Sequence, residues 1–179
     1  VIFHHLRRGA GKHPLFFGHI LDIAPGGKGR VHSSDNHHHD VQIRIDSRTE
    51  YDGFTLFTLT FTALKENAAV DRARIRVPLD LQFIRFFSAS GDKDGVNILG
   101  EPIPVKEGKI YDSSEDTSAV GCSPTFSTLY WTGDYDTCFC YAADNDKGWS
   151  IRDDAPAVEA HRENGLVNLY LNLIDKKTE

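Results

Sequence analysis

The chain has 179 residues, a length that fits one compact domain and argues against a second independent core. Apolar residues make up 40% and aromatic residues 11%, which excludes an intrinsically disordered chain. The formal charge of −6 comes without a long like-charged block, so nucleic acid is not expected as a partner. No stretch approaches the roughly 20 apolar residues of a membrane span, so no membrane partner is expected either.

The first forty residues are rich in His, Gly and Lys, and only residues 16–23 show a strand pattern. We expect residues 1–40 to form a loop or edge-strand region of the same domain, and residues 41–179 to form its main body. Within residues 37–40, His37 and His39 would offer imidazoles to a metal from one face of an extended segment, but the polar residues before them favour a solvated loop. The chain begins with Val and contains no Met, which indicates a domain excised from a larger protein or a processed product.

Two segments in the first half alternate apolar and polar residues, the period of a β-strand. Residues 41–46 place Val41, Ile43 and Ile45 on one face. Residues 54–64 continue with interleaved threonines and aromatic residues, but Phe54 and Leu56 are out of phase with the rest. We therefore predict a β-bulge within the second strand.

The middle of the chain predicts one further strand and then long loops. Residues 73–79 alternate again, and Pro78 near their end is typical of an edge strand. Residues 81–87 are densely apolar and fit either a strand buried on both faces or a short covered turn. Residues 88–127 are dominated by Gly, Asp, Ser and Pro, which indicates long loops.

The last third contains the clearest strands. Residues 128–131 and 137–141 read as two strands joined by a short turn. Residues 158–163 lead through Asn164-Gly165, the favoured pair for a type I′ turn, into an alternating strand at 167–173. The fold class predicted is all-β, a two-sheet antiparallel β-sandwich with long loops, because one flat sheet would leave half of these apolar faces in water.

The chain has three cysteines, Cys122, Cys138 and Cys140. Two residues apart on a strand, Cys138 and Cys140 would point the same way, so a disulfide framework is not expected. All three are predicted to be small buried residues.

Aromatic and acidic residues of the turns supply the candidate contact residues. Tyr135 and Trp149, with Asp144 and Asp146 beside the second, are candidates for contact with a sugar or with another domain, since flat aromatic faces match those of pyranose rings. Trp131 lies in an apolar strand and is expected in the core. The same acidic turns bring oxygen atoms together, so calcium is an alternative to the expectation of no cofactor, although neither turn matches an EF-hand loop. No nucleophile, zinc or phosphate-binding motif is present, and no catalytic or metal residue is assigned.

Four short motifs follow one another in the chain: residues 50–53 before the strand at Phe54, residues 131–134, residues 146–149 and the final Leu-x-Leu-x-Leu-Ile. Their order and spacing resemble glycoside hydrolase family 123, and in particular the N-terminal β-sandwich of that family and its relatives. The resemblance covers residues 40–175. Those relatives tend to have glycine where Cys138 stands and glutamate where Asp144 stands.

The resemblance implies that the parent protein is a bacterial, carbohydrate-active protein exported to the periplasm or the cell exterior. Its chemistry would reside in a following (β/α) barrel, where an Asp-Glu pair works with the N-acetyl group of an N-acetylgalactosaminide. None of those residues maps onto this chain, so the fragment itself is not expected to be an enzyme, while its parent resembles an N-acetylhexosaminidase.

Three hypotheses about function remain from the sequence. The first is a non-catalytic module whose partner is the catalytic barrel of the same parent chain. The second is a carbohydrate-binding module that contacts glycan directly. The third is a purely structural or protein-interaction sandwich.

Overall fold

The computed structural model describes residues 2–7, 30–38, 41–50, 54–66, 68, 70, 72–89, 100–115 and 124–176. In chain order the strands among these residues are β1 (Ile2–Arg7), β2 (Arg30–His38), β3 (Val41–Thr49), β4 (Phe54–Ala63), β5 (Ala73–Asp80), β6 (Phe86–Ala89), β7 (Glu101–Pro102), β8 (Gly108–Asp112), β9 (Leu129–Gly133), β10 (Thr137–Ala142), β11 (Val158–Glu163) and β12 (Leu166–Ile174). A 3-10 turn, Leu81–Phe83, precedes β6. No helix in this part of the chain is both long and apolar enough to cross a membrane.

The strands form two antiparallel sheets. The larger has eight strands in the order β2-β3-β4-β1-β10-β9-β6-β7, and the smaller has four in the order β5-β12-β11-β8. Buried side chains of both sheets belong to one hydrophobic cluster, so the sheets face each other as the layers of a sandwich. The predicted all-β sandwich is confirmed.

The core is built from the inward-facing alternate residues of each strand. Tyr130, Phe139 and Tyr141 of the larger sheet are at most 1% exposed, and Leu169 and Leu171 of the smaller sheet are fully buried. Burying one such side chain contributes about 1.5–3 kcal/mol. This shared interior fixes which face of each strand is left for contacts with other molecules.

The closing hairpin forms as the sequence predicts. Asn164 has φ 52° and Gly165 has φ 77°, the two positive values that a type I′ turn requires. The turn sets the register of β11 and β12, in which Glu163 pairs with Leu166 and Val158 with Leu171. Pro78 lies on β5, which is an edge strand of the smaller sheet, as expected.

The predicted bulge in the strand at residues 54–64 is wrong. β4 pairs with β3 from Thr55 to Ala63 without a register shift. Thr55 and Phe57 are buried, and Leu56 is 41% exposed on the other face. Phe54 and Leu56 are out of phase because they point to the outer face of the sheet, on which β4 continues with exposed threonines.

The long loops expected at residues 88–127 contain strands. β6 extends to Ala89, and β7 and β8 both fall inside that range. Their pairing with neighbouring strands forms them despite a polar local sequence, because tertiary context overrides weak β-propensity. For the same reason the expected loop at residues 33–38 is part of β2, which pairs with β3. The strand expected at 16–23 lies outside the described residues.

Candidate functional site

Three of the four candidate contact residues lie on one turn, residues 144–149. The Trp149 backbone N–H donates to the Asp146 carbonyl oxygen at 3.0 Å, and Gly148 adopts φ 84°, which favours glycine. Asp144 is exposed, whereas Asp146 is half-buried. The Trp149 ring meets the buried Phe126 ring edge-on, with centroids 5.2 Å apart. Trp149 is therefore partly a packing residue of the sandwich.

This turn is bonded to the end of the last strand. Ser150 forms a bridge with Ile174, and its N–H donates to the Leu173 carbonyl oxygen at 2.8 Å. The Asp175 N–H in turn donates to the Ser150 carbonyl oxygen at 2.8 Å. The residues that follow β12 therefore leave the sandwich beside the turn.

Tyr135 is not part of that site. It lies on the turn before β10, whereas residues 144–149 follow the other end of the same strand. Six residues of strand at about 3.4 Å each separate the two turns by roughly 20 Å. Tyr135 is 79% exposed, and its ring contacts Phe86 edge-on at 5.6 Å between centroids. The four candidate residues thus form two separate surfaces.

The larger sheet carries apolar side chains on its outer face. Trp131 alternates with the buried Tyr130 and Thr132, so it points outward, and the expectation that it lies in the core is wrong. Register pairing places apolar residues of the neighbouring strands on the same side. We call this surface the outer aromatic face, and its members are Phe54, Leu56, Phe86, Leu129, Trp131 and Tyr135.

Two cysteines, Cys138 and Cys140, also lie on this side of the sheet and form no disulfide. Cys138 pairs with Gly133 and Cys140 with Trp131, while Phe139 and Tyr141 take the inner positions of β10. The thiols are half-buried rather than core residues, which corrects the prediction for these two. Burial, together with the neighbouring Cys138, raises the pKa of Cys140 to about 11. Cys122 lies outside the described residues.

Three of the four positions of the motif at residues 131–134 have a structural explanation. The Thr132 hydroxyl donates to the Phe86 carbonyl oxygen at 2.8 Å and ties β9 to β6. A Cβ on Gly133 would lie 2.3 Å from the Thr137 carbonyl oxygen, so only glycine fits. The Asp134 carboxylate accepts from two backbone N–H groups, of which that of Thr137 lies at 2.8 Å. Asp134 thereby fixes the turn between β9 and β10.

The outer face of the smaller sheet is polar and densely bonded. We call it the polar cluster, and its members are Arg74, Arg76, Glu159, His161, Glu163, Asn168, Tyr170 and Asn172. They occupy the positions of β5, β11 and β12 that alternate with the core residues. The strand alternation identified these positions as outward, but it gave no signal that they would bond to one another across strands.

Arg74 and Glu159 form a partly buried ion pair within the polar cluster. The Arg74 guanidinium donates to Glu159 Oε1 and to Asn172 Oδ1, both at 2.6 Å. It also lies over the Tyr170 ring, 4.5 Å from the centroid. His161 Nε2 lies 3.1 Å from Glu159 Oε2. Charge, hydrogen bonds and stacking hold this guanidinium in one orientation.

The second half of the polar cluster centres on Glu163. Its Oε2 accepts from the Asn168 amide at 3.0 Å and from the Tyr170 hydroxyl at 3.2 Å. Arg76 Nε donates to Asn168 Oδ1 at 3.0 Å. Burial, reinforced by the Glu163 carboxylate, raises the pKa of Tyr170, which keeps the phenol protonated as a donor.

Within the described residues, no three His, Cys, Asp or Glu side chains gather closely enough to hold a metal ion. The Asp134 carboxylate, one of the oxygen groups considered for calcium, is bonded to the backbone of its own turn. The His37, His39 and Asp40 side chains lie outside the described part of the chain.

The chain matches no protein-family model, and neither a curated protein nor a solved structure matches it. The two outer faces and the 144–149 turn are therefore the features of the molecule that bear on its function.

Proposed function

We propose that the chain is a non-catalytic β-sandwich module of a glycoside hydrolase-like protein, and that it packs against the catalytic barrel of the same polypeptide. The outer aromatic face is the observation that carries this proposal. An antiparallel sheet normally presents a polar face to water, so apolar side chains in register on that face suit burial by another domain. Leu56, Leu129 and Tyr135 are the most exposed members of the outer aromatic face, at 41%, 39% and 79%.

The positions of the sequence motifs support a structural module. Gly133 and Asp134 are needed for the turn between β9 and β10, and Gly148 and Trp149 shape and anchor a second turn. These motif residues make contacts within the sandwich itself. The resemblance to family 123 therefore rests on residues that specify a fold. That resemblance implies that a catalytic barrel follows the sandwich in the same polypeptide, and this barrel is the partner that we propose.

The 144–149 turn supports the same partner. The residues after β12 leave the sandwich beside this turn, and Leu129 of the outer aromatic face pairs with Ala142, just before it. A domain that follows along the chain would meet the exposed Asp144 and the end of the outer aromatic face first. Asp144, Asp146 and Trp149 are accordingly proposed as domain-contact residues.

Hydroxyl-radical footprinting tests the packing. We expect Leu129, Trp131 and Tyr135 to be oxidised readily in this chain and to be protected severalfold in the natural full-length polypeptide that contains it. Tyr170 on the opposite sheet is the internal control and should be oxidised equally in both. Equal oxidation of the outer aromatic face in both proteins contradicts the proposal. Protection that appears in this chain alone and grows with its concentration would instead show a homodimer.

A hydrolysis assay tests the absence of catalysis. The purified chain is expected to cleave an aryl N-acetylgalactosaminide no faster than buffer does. Cleavage above that rate, abolished by one acidic substitution such as Glu159→Gln, would show that the chain has an active site of its own.

A further inference from the structure

The side chains of the polar cluster are held in fixed positions by bonds to one another. The proposed packing of the other sheet against a barrel does not require such an arrangement. Asn168 and Asn172 are 1% and 6% exposed, and burying an amide costs free energy unless its donors and acceptors are bonded. Both amides are bonded to the charged groups above them. The charged side chains are thus held in place before any ligand arrives, which lowers the entropy lost on binding.

The polar cluster still offers both donors and acceptors to solvent. Among the described contacts, Arg76 uses only Nε, and Arg74 uses Nε and one terminal nitrogen. Oε1 of Glu163 accepts no hydrogen bond from a described residue, while its Oε2 accepts two. Planar guanidinium donors beside a fixed carboxylate acceptor match a ligand whose adjacent groups both donate and accept.

Charge balance selects among such ligands. The charges of the two arginines and two glutamates in the polar cluster cancel. A phosphate, a sulfate or nucleic acid would be attracted by the arginines but repelled by the glutamates within the same surface. A peptide that binds by adding a strand would pair with the backbone edge of β5, whereas the side chains of the polar cluster project from the face of the sheet. A neutral ligand with adjacent hydroxyl groups is not repelled by the glutamates and does not need the edge of the sheet.

We infer that the polar cluster binds a neutral sugar through a pair of adjacent hydroxyl groups, with Arg76 as donor and Glu163 as acceptor. Arg74 and Arg76 are two residues apart on β5, about 7 Å along the strand, which is the scale of one monosaccharide. This site lies on the opposite sheet from the outer aromatic face and goes beyond the proposed packing role. The two proposals can therefore fail separately.

NMR titration of this chain tests the site. Backbone amide and arginine Nε–Hε signals would be followed while methyl β-D-galactopyranoside, methyl β-D-glucopyranoside and methyl α-D-mannopyranoside are added in turn. We expect saturable shifts on β5, β11 and β12 for at least one sugar, with Kd of about 1–10 mM. Arg76→Gln should weaken that binding at least about tenfold, whereas Arg152→Gln, an exposed arginine paired with Asp175, should leave it unchanged.

Three results would overturn the inference. The first is the absence of saturable shifts up to about 50 mM of each sugar. The second is tighter binding of the anion glucuronate than of the neutral sugars. The third is binding whose shifts map to Trp149 or to the outer aromatic face, or that persists in both Arg76→Gln and Glu163→Gln. Chemical-shift dispersion of each variant shows whether it is folded.

Discussion

Replacing Gly133 by alanine should destabilise the sandwich strongly, and for a steric reason. The added Cβ would lie 2.3 Å from the Thr137 carbonyl oxygen and 2.7 Å from the Cys138 Cα and Cβ atoms. Carbon–oxygen contacts normally begin at about 3.3 Å, so the overlap is about 1 Å. Because the first obstacle is backbone, relief requires moving the turn in which the Asp134 N–H donates to the same Thr137 oxygen at 2.8 Å. We expect a loss of about 3 kcal/mol, the upper end for overpacking.

Urea denaturation followed by circular dichroism measures this loss, with Gly148→Ala as the matched control. Gly148 has open space around its Cβ position but a φ of 84°, so alanine there costs only the left-handed strain, about 1 kcal/mol. The double variant Gly133→Ala/Cys138→Gly separates backbone from side-chain overlap and should recover only a small part of the loss. A loss at Gly133 no larger than at Gly148, or full recovery in the double variant, would refute the steric explanation.

Three further predictions concern the two outer faces and the turn. The rate at which iodoacetamide alkylates Cys140 should rise about tenfold per pH unit between roughly pH 8 and pH 10, because only the thiolate reacts and the thiol has a pKa of about 11. Mass spectrometry measures this rate for each cysteine separately, and a plateau near pH 9 would contradict the prediction. A double-mutant cycle of Arg74→Ala and Glu159→Ala should give a coupling free energy of about 1 kcal/mol. This value lies above the median for solvent-exposed ion pairs, because the two side chains are only 29% and 14% exposed. A coupling below about 0.3 kcal/mol would show that the ion pair has no net effect on stability. Trp149→Ala should lower the free energy of unfolding by about 2 kcal/mol, because the contact of the Trp149 ring with Phe126 is lost. This loss is smaller than the loss expected for a fully buried Trp. An unchanged urea midpoint would show that the Trp149 ring is not packed against the sandwich.

The strands that the sequence predicted best are those with one clearly buried face. Val41 and Ile45 of β3 alternate with polar residues, and the Asn164-Gly165 pair defines a hairpin by backbone conformation alone. Local pattern suffices there because a one-residue slip would expose the whole apolar row. β1 and β2 have no such pattern, and they are specified by the strands they pair with, which a local window cannot detect.

The candidate site was less predictable than the fold. Trp131 was expected in the core but lies on the outer face, since burial depends on which face of the sheet meets the second sheet. Trp149, a candidate contact residue, is half-buried and also packs against Phe126. The phase shift at Phe54 and Leu56 was visible in the sequence, and their position on the outer face explains it better than a bulge. The polar cluster forms because strand pairing places side chains of β5, β11 and β12 next to one another. The sequence does not show which strands pair, so it did not predict these contacts.

The position of β1 has a consequence for synthesis of the protein on the ribosome. β1 lies between β4 and β10 in the middle of the larger sheet, and Ile2 pairs with Ala142, a separation of 140 residues. At about 5–20 residues per second, the first strand would wait about 7–28 seconds for that partner to be translated. During that interval β4 can pair with β1, but the other edge of β1 stays open to chaperones or to a strand of another nascent chain.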